Sequence, residues 1–267
     1  MSNEIVLTHE CIDSIPLVSC YTNDQKRKPL VILLHGFKGN KEGWLPRLKQ
    51  LAGNGYFAVA IDNPGHGERK GKNFESIVMK DGKWDVYEIR VLINKTAEDV
   101  STVITHLLKN KIIDQSNIAV VGVSMGGFAS YKAMTGDNRI STICPMIASP
   151  YWDDIPEGVP ALIDEESITR LQEYSDRNCP GAYPEKFNKR PMLVQVGGND
   201  KHSNVNRVIT FCKTMAQKYY KDTEESVKLI SYKGVSHEFT ESMWDEVCIW
   251  IEKYLHREPK ASREASN

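Results

Sequence analysis

The chain has 267 residues, 40% of them hydrophobic, with a formal net charge of −1. That length builds one large domain or two small ones and buries a sizeable core. A pI near 6.7 and a mean hydropathy of −0.42 exclude the basic footprint of a nucleic-acid binder and suit a soluble protein.

MSNEIVLTHECIDSIPLV carries no basic, long apolar leader. No apolar run approaches the about 18 residues of a membrane helix. A cytoplasmic protein, with no membrane partner, is expected. Its six cysteines are scattered without a CxxC spacing and read as free thiols, with Cys144 a small core residue.

In chain order, EIVLTHECI and IPLVSCYT alternate and read as an antiparallel hairpin at a sheet edge. PLVILLHG (29–36) is an apolar strand ending in Gly, and 41–55 a helix with a Gly stop. A second buried strand is expected over 56–67, a long helix over 87–110 and a third strand over 117–124. A helix over 125–134 and a strand over 140–149 follow. After residue 189 come a strand over 190–200, a helix over 204–220, a strand over 226–237 and a last helix over 238–255. Continuous apolar strands separated by helices predict an α/β fold with a mainly parallel sheet covered on both faces. Residues 151–189 break the rhythm, with one weak helix around Glu165–Tyr174. That length reads as a lid inserted in a single domain, 1–267. The polar tail from Arg257 reads as frayed.

In open α/β sheets, ligands bind beyond the carboxyl ends of the strands. There the chain places His35-Gly36-Phe37, Asp62 with Gly65-His66-Gly67, Ser124, Ser149-Pro150-Tyr151-Trp152, Asp200 and His237. Gly122-x-Ser124-x-Gly126 fits a nucleophile elbow, a strand-to-helix turn that lifts a serine and leaves room only for glycine two positions either side. Alone the motif is weak. Its place after an apolar strand, with an acid and an imidazole following in order, raises it. A serine hydroxyl needs a base, and His237 in GVSHEF supplies one. Asp200 in VQVGGND is the expected acid that orients it. Asp153, Asp154 and Asp164 are alternatives from the lid, which strand-end geometry disfavours. The backbone N–H groups of Met125 and Phe37 are the expected oxyanion donors.

HGF, NPGHG, GVSMGG, GGND and GVSHEF stand in the order of the α/β-hydrolase superfamily, which the chain resembles over nearly its whole length. Within it, the chain resembles small bacterial esterases of the prolyl-oligopeptidase and dienelactone-hydrolase branch. The resemblance implies a mainly parallel eight-stranded sheet, a lid after the sixth strand and cofactor-free acyl transfer. It carries nucleophile to Ser124, acid to Asp200, base to His237 and oxyanion donors to Phe37 and Met125. The single-glycine HGF departs from the HGGG loop of the hormone-sensitive-lipase branch. The branch usually adds a β-propeller, for which this chain has no room, and that weakens a peptidase reading.

The expected function is a serine carboxylesterase acting on small or medium esters. An acyl- or aminoacyl-peptidase or a thioesterase would use the same triad, and a non-catalytic ligand-binding protein of this fold is a rival of another class. Trp84, Tyr87, Tyr151 and Trp152 flank the site loops and read as pocket walls, with packing roles equally open. His35 and His66 read as loop organisers and His202 as a rim residue. No metal-ligand spacing occurs, so neither metal nor cofactor is expected. The acidic run DDIPEG…DEES is a solvated face or, on a sharper reading, a preference for cationic substrates. The expected partner is a small-molecule ester, the expected state monomer or homodimer.

Overall fold

The computed structural model describes residues 4–255 except Gln25, Lys72, Asn73, Ile112 and Asp222. In chain order the elements are β1 (Ile5–Ile12), β2 (Ile15–Thr22), β3 (Lys28–Leu34), α1 (Leu45–Gly53), β4 (Phe57–Ile61), α2 (Phe74–Val78), β5 (Met79–Lys80), β6 (Lys83–Trp84), α3 (Val86–Asn110) and β7 (Ile113–Val123). There follow α4 (Met125–Gly136), β8 (Thr142–Met146), α5 (Glu165–Asn178), β9 (Met192–Gly197), α6 (Val205–Thr214), β10 (Val227–Tyr232) and α7 (Glu241–Leu255).

Eight strands form one sheet in the order β1-β2-β4-β3-β7-β8-β9-β10. The alternating β1 and β2 pair as an antiparallel edge hairpin, β2 meets β4 antiparallel, and every later pairing is parallel. This is the expected α/β-hydrolase sheet. The inner strands β3, β4, β8 and β9 read as continuous apolar runs because both their faces are covered. Leu30, Ile32 and Leu34 join the core beneath α3 and α4. Val31 and Leu33 between them join the core beneath α1 and α7.

The register brings the carboxyl ends level. Leu34 lies opposite both Ile61 and Gly122, and Val123 opposite Met146. The loops after β3, β4, β7 and β8 therefore open at one edge.

Several expected boundaries move. The strand expected over 56–67 ends at Ile61, because the Asp62 carboxylate turns back to accept from the Lys41 and Glu68 amides and from the Lys41 ammonium. The helix expected over 204–220 ends at Thr214 and continues as one wider turn, Met215–Tyr219. α2 and the two-residue strands β5 and β6 were not expected. The polar tail from Arg257 lies outside the described residues. All six cysteines are unpaired, and Cys144 is buried. Among the described residues no helix is long and apolar enough to cross a membrane.

The stretch between β8 and β9 is tied down at several points. Trp84 N donates to Pro160 O (2.8 Å), Leu162 N to Trp84 O (2.9 Å), Glu157 N to Lys201 O (2.8 Å) and Gly181 N to Pro150 O (2.9 Å). Asp164 caps α5 by accepting from Ser167 N at 2.9 Å.

Candidate active site

β7 ends one residue before Ser124 and α4 begins one residue after it. A chain that reverses this sharply must leave ordinary backbone space. Ser124 has φ 50° and ψ −116°, a left-handed conformation that costs a non-glycine residue about 1–3 kcal/mol. It is held by Ser124 N donating to Met146 O and Phe128 N donating to Ser124 O, both at 2.9 Å. The neighbouring glycines are steric requirements. A Cβ on Gly122 would lie 2.1 Å from Gly126 O, one on Gly126 2.3 Å from Leu34 O, and one on Gly127 2.7 Å from Ala148 Cβ. Gly122→Ala is expected to cost about 3 kcal/mol, lowering Tm by roughly 6–12 °C. A thermal melt checks this; an unchanged Tm would show that the turn has slack.

The loop after β9 and the loop after β10 meet at another glycine. A Cβ on Gly197 would sit 2.1 Å from Ser236 O, and Asn199 N donates to Val235 O at 2.9 Å. This contact brings Asp200 to His237. The His237 Nδ1 lies 3.0 and 2.9 Å from the two Asp200 carboxylate oxygens, and Nε2 lies 2.8 Å from Ser124 Oγ. The Asp200 side chain is fully buried and also accepts from the amides of His202 (2.7 Å) and Ser203 (3.4 Å). The other acids considered in the sequence lie elsewhere. Asp153 and Asp154 pair with Arg207, and Asp164 caps α5.

The loop after β3 passes against the serine. A Cβ on Gly36 would come within 3.5 Å of Ser124 Cβ. The amide of Met125, first residue of α4, has no acceptor within its helix. Neither it nor the Phe37 amide donates to a backbone carbonyl among the described residues.

His35 holds this loop to the loop after β4. Asn63 N donates to His35 Nε2 (3.1 Å), so the proton sits on Nδ1, which donates to Gly36 O (2.8 Å). Burial pushes the His35 pKa down from 6.5 to about 4. Between those values the unfolded chain takes up a proton that the folded chain refuses. The stability tied to neutral His35 is complete above pH 6.5 and is lost as pH falls to about 4, a total of about 3 kcal/mol. Urea unfolding from pH 7 to 4.5 checks this. His35→Gln should be less stable at pH 7 but show a shallower pH slope. Equal slopes would contradict the assignment. His66 also faces a loop rather than the serine, with Nδ1 donating to Pro64 O at 2.9 Å.

A cavity of about 450 Å³ opens over Ser124 and His237. Trp84 lines it as expected, its ring edge-on to Phe37 at 5.1 Å. Tyr87, Tyr151 and Trp152 do not line it, and each has a packing partner instead. Tyr87 packs edge-on against Tyr174 beneath Arg170. Tyr151 packs against Phe211 beneath Arg207. Trp152 is fully buried and stacked on Tyr174. The walls are instead Val86, Ile89, Arg90, Phe128, Val159 and Phe239, with others. His202 reaches the cavity too, its ring 4.3 Å from that of His237. Burial first, then the neighbouring His237, lowers the His202 pKa.

The prolyl oligopeptidase family model matches residues 46–256. The chain belongs to that family. It is a serine hydrolase of the branch its motifs resemble. It is 25% identical over 262 residues to "Putative esterase YitV" of Bacillus subtilis, covering 94% of this chain and 100% of that protein. Among solved structures, TT1662 from Thermus thermophilus superposes with a TM-score of 0.75 at 20% identity, over 96% of this chain and 100% of the other. The acylaminoacyl peptidase of Pyrococcus horikoshii superposes with a TM-score of 0.72 at 16% identity, over 96% of this chain and 42% of that one. These likenesses show a shared fold.

Proposed function

We propose that this family member is a carboxylesterase acting on small or medium esters through an acyl-enzyme on Ser124. The observation that carries the reading is the unbroken relay Ser124 Oγ to His237 Nε2 at 2.8 Å and His237 Nδ1 to Asp200 at 2.9 Å, at a strained elbow. His237 takes the Ser124 proton as Oγ attacks the ester carbonyl. The carbonyl oxygen gains negative charge and is held by the Phe37 and Met125 amides, each contributing on the order of 10²–10³ in rate. His237 then gives its proton to the leaving alcohol. Water repeats the sequence and releases the acid, returning Ser124 and its proton. Asp200 keeps the imidazole in the tautomer that accepts from serine and stabilises the imidazolium. The groups this cycle needs all come from the chain, with no cofactor. Residues 151–189 act as a lid, contributing Pro156 and Val159 to the cavity wall.

The test is a side-by-side assay of p-nitrophenyl acetate and butyrate, an acyl-CoA and a p-nitroanilide. Esters turning over far faster than the other two supports this reading. Preferred amide cleavage would instead favour the peptidase chemistry of the Pyrococcus protein, and preferred acyl-CoA cleavage a thioesterase.

A further inference from the structure

Arg90 stands on the inward stripe of α3 with Val86, Ile93 and Ala97, where a charge is costly. It is 4% exposed and lines the cavity that holds Ser124. Its Nε donates to Trp152 O (3.1 Å) and one Nη to Asp154 O (3.2 Å). Its guanidinium carbon lies 4.4 Å from the centre of the Phe128 ring. Among the described residues, no carboxylate pairs with it and its Nη1 makes no hydrogen bond. Asp153 and Asp154, the acids next to those carbonyls, share Arg207 and act on Arg90 only at longer range. Burial lowers its pKa to about 10, so the guanidinium remains charged at neutral pH.

The cavity's described lining carries Arg90, Lys38, His202 and His237 and no Asp or Glu. Two carbonyls solvate the guanidinium only in part. A buried cation with no carboxylate within ion-pairing distance gains from an anion brought into contact with it, and its planar fork matches a carboxylate in two-pronged fashion. Phe128 is one turn of α4 from Ser124, about 6 Å along the helix axis. Arg90 and Ser124 line one cavity, so an ester whose carbonyl meets Ser124 Oγ can carry a carboxylate to Arg90. Of the acidic run in the lid, Asp153 and Asp154 pair with Arg207, whose single charge offsets one of the two, and neither lines the cavity.

We propose that Arg90 is an anion-binding residue of the substrate cavity and that the enzyme takes esters bearing a carboxylate. This rests on the ester-hydrolase reading and names its substrate class. A preference for cationic esters, the sharper expectation from the acidic run, is the opposite outcome.

Two matched pairs test it. 4-Nitrophenyl hydrogen adipate against 4-nitrophenyl hexanoate places the charge on the acyl half. 4-Carboxyphenyl butyrate against 4-carbamoylphenyl butyrate places it on the alcohol half. Wild type should prefer the anionic member of at least one pair by about 10-fold or more in kcat/KM, chiefly through KM and less so at high salt; the pair that responds identifies the charged half. Arg90→Met should cut that anionic-to-neutral ratio by about 10- to 100-fold, with Arg90→Lys retaining part of it. Arg90→Met slowing both members equally would mean that Arg90 only fastens the lid carbonyls, and would overturn the proposal, as would a wild type without anionic preference. If no ester turns over, the ester-hydrolase reading falls by itself. Adipate binding to Ser124→Ala protein, measured by calorimetry, then decides the proposal. Binding that Arg90→Met abolishes upholds it, and no binding overturns it.

Discussion

Ser124→Ala is expected to lower kcat for p-nitrophenyl butyrate by about 10⁵-fold while leaving the protein folded. Alanine keeps the Cβ that already occupies the elbow at φ 50°, and it removes only Oγ and its bond to His237. The backbone bonds at Ser124 N and O persist, so Tm should move by only about 1–2 °C. The residual rate would come from the oxyanion amides and from substrate binding. A circular-dichroism melt beside the kinetics separates chemistry from folding. A Ser124→Ala protein that folds and retains most of its activity would remove Ser124 from the mechanism.

Asp200→Asn carries the second largest expected effect, about 10³–10⁴ in kcat with little change in KM. The Asp200 carboxylate is buried among donors only: the His202 and Ser203 amides and His237 Nδ1. Asparagine has one acceptor oxygen for them. If that oxygen stays with the backbone amides, its NH₂ faces Nδ1 and forces the imidazole proton onto Nε2. The base would then present a proton to Ser124 instead of a lone pair. Because substrate does not touch Asp200, binding should survive. A loss carried by KM rather than kcat would point to a collapsed loop instead of a wrong tautomer.

The sequence exposed the parts of the fold that local chemistry dictates. The apolar strands, the alternating edge hairpin and the order of elbow, acid and imidazole all follow from patterns within a few residues. So do Gly122 and Gly126, where a side chain would strike backbone. What depends on distant partners was harder to read. Tyr87, Tyr151 and Trp152 looked like pocket walls from their place in the chain. They face Tyr174 and Phe211 instead, partners supplied by α5 and α6. Phe239, Pro156 and Val159 reach the cavity from loops whose course no short-range pattern sets. Arg90 did leave a signal. It interrupts the apolar stripe Val86, Ile93, Ala97, Val100 of α3, and a charge on a buried helix face asks for a partner. The strand end at Ile61 was hidden because the turn after it is closed by Lys41, twenty-one residues upstream of Asp62.

The most direct test of an activated Ser124 is the intact mass of the protein after brief exposure to a fluorophosphonate, with the modified residue located by peptide mapping. One phosphonyl group on Ser124 of the wild type, and none on Ser124→Ala or on wild type unfolded in urea, is the expected result. A folded wild type that stays unmodified, or that carries the label on another residue, would contradict it.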